Sequence, residues 1–274
     1  MGGPDRGRTP SLPGKPCMNP SDLSLDSASP QLCRHCAGVP VTDDAAELLA
    51  AMPLLSQIQA ETLACLASGA RLIEYEPGTP VFDRGSAPTG LFFVVTGGVK
   101  LVALGADARS RVVELFEHGR MFGEIGVFTG ERYRTWTETV APTTLLHVDK
   151  ACVLTAVATD HALCQRMLRT VTARIQRLID SIGVASPTTA DVRVAAYLLE
   201  LAERAEPSAP WLTLPAPKAT IASLLNLSKE SLSRVLRRMM DSGVLRVSGR
   251  RIRICAREQL VQLTTPAPFP DHAH

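Results

Sequence analysis

The sequence predicts an α+β protein, and three observations carry that expectation. Between residues 70 and 148, short β-rich runs alternate with glycine. Residues 158–185 hold one long helical period. Residues 217–260 place two short helices ahead of a two-stranded hairpin.

In chain order, residues 1–30 carry six prolines among many Gly and Ser, with no apolar period, and read as a disordered tail. The tail extends to residue 44 and includes Cys33-Arg34-His35-Cys36. From Ala45 the chain turns helical: Leu48, Leu49 and Met52 share a face, and Pro53 stops the helix. A second short helix is expected from about Ser56 to Ser68.

The β-rich runs are Arg71–Tyr75, Val81-Phe82, Leu91–Val95, Val99–Leu104, Arg111–Phe116 and Thr144–Val148, with glycine turns between them. Many short strands at this spacing indicate a sandwich or roll spanning residues 45–157. Parallel βαβ units are excluded, because no helical pattern of ~10–15 residues separates the strands.

In the long helix, Cys164, Leu168, Val171, Ile175, Leu178, Ile182 and Ala185 step alternately by four and three residues. That is a heptad seam, and a period of about 3.5 favours a partner helix, most simply in a C2 homodimer. Asp180 lies beside the seam, where an acid makes dimerisation marginal and switchable. Cys164 lies on it, as a small hydrophobe or a redox switch. Pro187 and Thr188-Thr189-Ala190-Asp191 break the helix and start another over residues 191–204. Prolines 207, 210, 215 and 217 then bracket a strand, Trp211–Leu214.

Ala219–Leu225 is a short helix, and Asn226-Leu227-Ser228 a tight connection with Ser228 as N-cap. A second helix runs from Lys229 to about Ser242, with Leu232, Val235, Leu236 and Met239 as its inward stripe and Gly243 as its stop. Val244–Val247, a turn at 248–250 and Arg251–Cys255 form the hairpin. Together these make a winged helix-turn-helix within residues 187–265, whose second helix is shaped for a major groove. A short tail, 266–274, follows.

Composition narrows the function. The chain has 274 residues with a formal net charge of +2. That balance hides an asymmetry: residues 217–260 hold ten Lys/Arg and three Asp/Glu, so they carry +7 and the rest −5. A basic module on a mildly acidic body is a footprint for phosphate backbone, making double-stranded DNA the expected partner. Aromatic residues are only 4% of the chain, which disfavours binding single strands by stacking. No run of ~18–20 apolar residues is present, so no membrane span is expected. Seven cysteines, an odd number without a secretion signal, read as a reduced, cytoplasmic protein. If translation starts at Met18, Cys17 is not part of the chain.

On the second helix of the module, Lys229, Glu230, Ser233, Arg234 and Arg237 point away from the apolar stripe. Arg donates two hydrogen bonds to guanine, and Glu accepts from cytosine. Glu230 and Arg234 are also spaced for an intrahelical pair, which would pre-orient the arginine. Arg250 and Arg251 in the wing are expected on phosphates.

Two motifs carry a family resemblance: Phe122-Gly123-Glu124-Ile125-Gly126-Val127-Phe128 followed by Arg134-Thr135, and Leu227-Ser228-Lys229-Glu230-Ser231-Leu232-Ser233-Arg234-Val235-Leu236. Over residues 45–263 the chain resembles the Crp/Fnr family of bacterial regulators, which includes the cyclic-AMP receptor protein and the fumarate/nitrate reduction regulator. The resemblance implies a cyclic-nucleotide-binding-type β-roll, a dimerisation helix at 158–186 and a winged helix-turn-helix. It implies a homodimeric transcriptional regulator rather than an enzyme, with RNA polymerase as a partner. Glu230, Ser233 and Arg234 match the fumarate/nitrate and nitric-oxide-responsive branch, which implies TTGAT-type half-sites in an inverted repeat.

Three effectors are candidates under that resemblance. For a cyclic nucleotide, Gly123 admits the phosphate, Glu124 accepts from the ribose, and Arg134 with Thr135 takes phosphate oxygens. Trp136, Leu178 and Ile179 depart from that pattern. For an iron–sulfur cluster, Cys33 and Cys36 with Cys17 lie where the fumarate/nitrate branch places thiolates. The usual fourth thiolate is absent at Leu145-Leu146, and Cys152 lies further on. The CxxC also suits a thiol pair or a zinc half-site. For haem, His118, His147 and His161 are candidates without a surrounding motif. The rival of another class is a sensor roll controlling a non-DNA effector or interaction module. It predicts an acid/base or nucleophile cluster in residues 187–274, where the sequence holds a helix-turn-helix and arginines.

Overall fold

A computed structural model describes residues 39–40, 44–105, 107–183, 189–205 and 210–264. A short strand β1 (Val39–Pro40) and helices α1 (Asp44–Ala50) and α2 (Ala60–Ser68) lead into the roll. Its further strands are β2 (Ala70–Tyr75), β3 (Gly90–Thr96), β4 (Val99–Leu104), β5 (Ser110–Phe116) and β6 (Met121–Phe122), then β7 (Trp136–Thr139) and β8 (Thr143–Asp149). Helix α3 (Glu124–Thr129) interrupts the strand sequence between β6 and β7.

One sheet runs β1-β2-β8-β3-β6 and the other β5-β4-β7, and every pairing within them is antiparallel. The apolar run in β3 follows from its place between two cores, because successive side chains of a strand face opposite ways. Phe92 and Val94 join Ile73, Leu101, Phe116, Phe122 and Leu145 between the sheets. Leu91 and Phe93 turn to the other face and meet Leu49, Leu66 and Val153 from the helices.

Two helices follow, α4 (Lys150–Thr159) and α5 (His161–Gly183). The expected single start at 158 is therefore corrected. Asp160 breaks the run and caps α5, accepting from the Leu163 amide (3.0 Å) and from Thr62 Oγ1 (2.9 Å). Along α5, the seam residues Leu168, Ile175 and Leu178 are 62%, 50% and 37% exposed, and Ile179 beside them is 54% exposed. The seam thus presents an uncovered apolar stripe on the single chain. The side chains of Asp180 and Ile182, and all of Ala185, lie outside the described residues.

The C-terminal module comprises α6 (Ala190–Arg204), β9 (Leu212–Thr213), α7 (Lys218–Leu224), α8 (Lys229–Asp241), β10 (Leu245–Ser248), β11 (Arg251–Ile254) and α9 (Arg257–Thr264). Its sheet runs β10-β11-β9. Ser248 pairs with Arg251, leaving a two-residue turn in which Gly249 takes φ +61°, a conformation suited to glycine. Leu198, Ile221, Leu232, Val235, Leu236, Met239, Ile252 and Leu260 form the core of the module.

Further differences from the sequence reading concern short elements and their ends. Helix α2 starts at Ala60, because Gln57 adopts φ +62° and ends any helix there. Val81-Phe82 is a loop, although its backbone bonds to Thr137 on β7 in strand fashion. Strands β1, β6 and β7 and helices α3 and α9 were not foreseen, the strands being only two to four residues long. Among the described residues, no helix is long and apolar enough to cross a membrane.

Candidate functional site

The turn before α8 is built by backbone geometry and by arginines. Asn226 sits at φ +53°, and the Leu227 amide donates to Ala222 O (2.8 Å). Arg193 Nη1 reaches from α6 to Leu225 O (3.0 Å) and Asn226 O (3.2 Å). From the roll, Arg111 Nη1 donates to Asn226 Oδ1 (3.1 Å), and the Val112 amide donates to Ser223 Oγ (3.0 Å). The helix-turn-helix is thus held by both α6 and β5.

Ser228 caps α8, its Oγ accepting from the Ser231 amide at 3.0 Å. Leu232, Val235, Leu236 and Met239 are buried, as the inward stripe requires. Lys229, Glu230, Ser233, Arg234 and Arg237 share the opposite, exposed side of the first turns. The Glu230 carboxyl is held below its ordinary range by its own backbone amide and by Ser228, so it is an ionised acceptor. Arg234 Nη2 donates to Ser231 Oγ (3.3 Å). The arginine is therefore oriented by a serine one turn back.

Two neighbouring cations serve the fold. Arg238 makes a two-point contact with Asp191 (2.8 and 2.7 Å), tying α8 to α6. Arg250 donates twice to Leu214 O (3.1 and 2.6 Å), tying the wing turn to β9. Arg251 lies over the Trp211 ring at 5.1 Å. Arg246 and Arg253 face each other across β10 and β11 and are both exposed, a pairing that sequence reasoning passed over. Like charges directly opposite are unfavourable in a sheet unless something anionic lies over them. The signal was available in the alternation Leu245-Arg246-Val247 against Ile252-Arg253-Ile254.

In the roll, Gly123, Glu124, Arg134 and Thr135 do line one cavity, with Phe82, Phe116, Phe122 and Tyr133. Gly123 has φ +94°, and a Cβ there would stand 3.0 Å from Gly90 O. One side chain closes the cavity from α5. Arg174 enters from α5 and forms ion pairs with both Glu124 and Glu114, its guanidinium 4.9 Å from the Phe116 ring centre. Arg120 completes the network by bonding Glu114 at 3.0 Å. Burial pushes the Glu124 carboxyl above its ordinary range, and Arg174 pulls it back down. Arg134 points into solvent, 85% exposed, and bonds Glu131 at 3.1 Å. The remaining cavity is about 170 Å³, below the ~300–1,000 Å³ of small-molecule sites. In this conformation the donor set does not fit a cyclic nucleotide: Glu124 is already paired, and the space is filled by Arg174.

The histidines are occupied otherwise. His147 is buried against Phe92, its Nε2 3.1 Å from Thr89 Oγ1, and burial pushes its pKa down to about 4. His118 Nδ1 bonds Val95 O (2.7 Å), and His161 opens α5. Cys17, Cys33 and Cys36 lie outside the described residues. Among the described residues, no group of three or more His, Cys, Asp or Glu side chains is placed to hold a metal.

Comparisons with known proteins agree with this layout. A family model described as a cyclic nucleotide-binding domain matches residues 72–160, and one described as a Crp-like helix-turn-helix domain matches residues 192–263. The chain is 30% identical over 199 residues to the nitrogen fixation regulation protein FixK of Azorhizobium caulinodans, covering 68% of this chain and 79% of that protein. It is 23% identical over 219 residues to a CRP-like cAMP-activated global transcriptional regulator of Mycobacterium tuberculosis, covering 79% and 98%. The solved structure of FixK2 from Bradyrhizobium japonicum superposes with a TM-score of 0.66 at 25% identity, over 72% of this chain and 98% of that one.

Proposed function

Because this chain belongs to the Crp/Fnr family of DNA-binding transcriptional regulators, we propose that it acts as an effector-controlled homodimer reading an inverted repeat of TTGAT-type half-sites. The observation that carries this reading is the exposed face of α8, where a capped first turn presents Lys229, Glu230, Ser233, Arg234 and Arg237 together.

On that face the roles follow from chemistry. Arg234, oriented by Ser231, donates to the guanine of the half-site. Glu230, ionised, accepts from the cytosine amino group of the same or the neighbouring pair. Lys229, Arg237, Arg246, Arg251 and Arg253 take phosphates, which position the helix without reading sequence. Arg250 contributes indirectly by fixing the wing turn against Leu214.

Dimerisation is supported by the stripe on α5. Leu168, Ile175 and Ile179 are exposed in a single chain, and a second α5 covers them. Two α8 helices one helical turn of DNA apart then fit a two-fold repeat. RNA polymerase bound beside the site is the expected partner. Control reaches α8 by two physical routes: the Arg174 ion pairs couple the roll to α5, and Arg111 and Val112 couple β5 to α7. A mobility shift on a TTGAT-type inverted repeat, beside a probe with the G·C pairs exchanged, tests the reading. Equal affinity for both probes overturns it.

A further inference from the structure

A second cavity, about 560 Å³, lies between β5, the C-terminal half of α5, α6 and the end of α7. Its volume falls within the ~300–1,000 Å³ usual for small-molecule sites. Five arginine side chains line it against three carboxylates, Glu114, Glu117 and Glu200. Most of these charges already have partners. Arg120 and Arg174 bind Glu114, and Arg204 binds Glu200. Arg177 enters no ion pair among the described residues. Two further lining groups have solvent-excluded polar atoms without a hydrogen-bond partner: the Tyr197 hydroxyl and Arg193 Nε. Buried polar atoms are almost always satisfied, so orphaned ones beside a cavity point to a missing ligand or water. Three donors facing one space under net positive charge select a ligand with several anionic oxygens.

We propose that this interdomain cavity, rather than the closed roll cavity, binds a small multiply charged oxyanion metabolite, held by Arg177, Arg193 and Tyr197. Phosphate and carboxylate groups share the required chemistry. Such a ligand would bridge α5 to α6. Because Arg193 also holds Leu225 and Asn226, it would fix the attitude of the turn ahead of α8. The proposal deepens the effector-control reading above and rests on it for this consequence alone, since binding is measured without DNA.

Isothermal titration of the full chain with sodium pyrophosphate and, separately, with citrate, at constant ionic strength, tests it. The expected result is saturable binding of at least one of the two, one per chain, with the tighter anion showing which oxyanion the site prefers. Tyr197→Phe and Arg177→Gln should each weaken it tenfold or more. Arg177 is exposed, so its variant keeps the test open if Tyr197→Phe does not fold. Arg134→Gln in the roll and Arg234→Gln on α8 should leave it unchanged. Absence of saturable binding to either anion overturns the proposal. So does loss on Arg234→Gln with retention in both cavity variants, which would seat the anion on the DNA-reading face. Failure of the DNA-reading account would appear instead in the mobility shift, with the titration unaffected.

Discussion

Replacing Arg174 with methionine is expected to be among the most damaging single changes in the roll. Arg174 is 13% exposed and neutralises Glu114 and Glu124, which are 14% and 6% exposed. Methionine keeps an apolar side chain of similar length and removes the guanidinium, with its charge and its contact with the Phe116 ring. Breaking a buried ion pair from one side costs about 3–5 kcal/mol, because the other charge stays buried and unpaired. Glu114 retains Arg120, so the cost falls mainly on Glu124. With a urea slope of about 3 kcal/mol per molar, the midpoint should drop by roughly 1–1.7 M. The loss should depend on pH. Burial already holds the Glu124 carboxyl above its ordinary value of 4.5, and without Arg174 it rises further. An acid raised in the folded state destabilises while it is ionised, so the cost is greatest at pH 7 and shrinks as pH falls through the raised value. Urea unfolding of both proteins at pH 7 and pH 5, at one protein concentration, measures this. Adding Glu124→Gln to the variant should recover much of the loss. A midpoint shift below about 0.3 M, or a loss that is the same at both pH values, would refute the buried-bridge argument.

Other expectations can be checked separately. Ile175→Glu on α5 should move the protein from dimer to monomer in sedimentation, weakening association by a hundredfold or more, since burying one such side chain contributes about 1.5–3 kcal/mol per copy and a charge opposes it. Arg246→Ala with Arg253→Ala should weaken binding to all DNA sequences alike and flatten the salt dependence by about 0.9 per lost phosphate contact. Cyclic AMP titrated into the wild-type chain should give no saturable heat while Arg174 fills the roll cavity, and saturable binding would show that the arginine gives way.

Periodicity made much of the architecture readable. The stripe of α8 is a local pattern, and the structure buries its residues as a 3.6-residue repeat requires, while Leu168 and Ile175 of the α5 seam lie exposed on the single chain. The run in β3 was readable as a strand, though its burial on both faces depends on helices far off in sequence. Elements of two to six residues, such as β6, β7 and α3, are too short to show a period. The break at Asp160 was hidden because the carboxylate that caps α5 at the Leu163 amide is held in place by the Thr62 hydroxyl, 98 residues away. The roll motif was legible as residue types at a spacing, and the four residues do share a cavity. Its closure was not legible, because Arg174 meets Glu124 across 50 residues of chain and reads, on its own helix, as one more exposed charge. Arg250 shows the same limit: its charge suggested phosphate, whereas its geometry ties it to Leu214.

Arg234 is expected to read a base. Binding of wild-type protein and Arg234→Ala should be measured on two inverted repeats that differ only at the G·C pair of each half-site. The wild type should prefer the matching repeat by about 1–3 kcal/mol per half-site, and the variant should lose that preference. An Arg234→Ala protein that binds both repeats more weakly by the same factor, with the preference intact, would contradict the account.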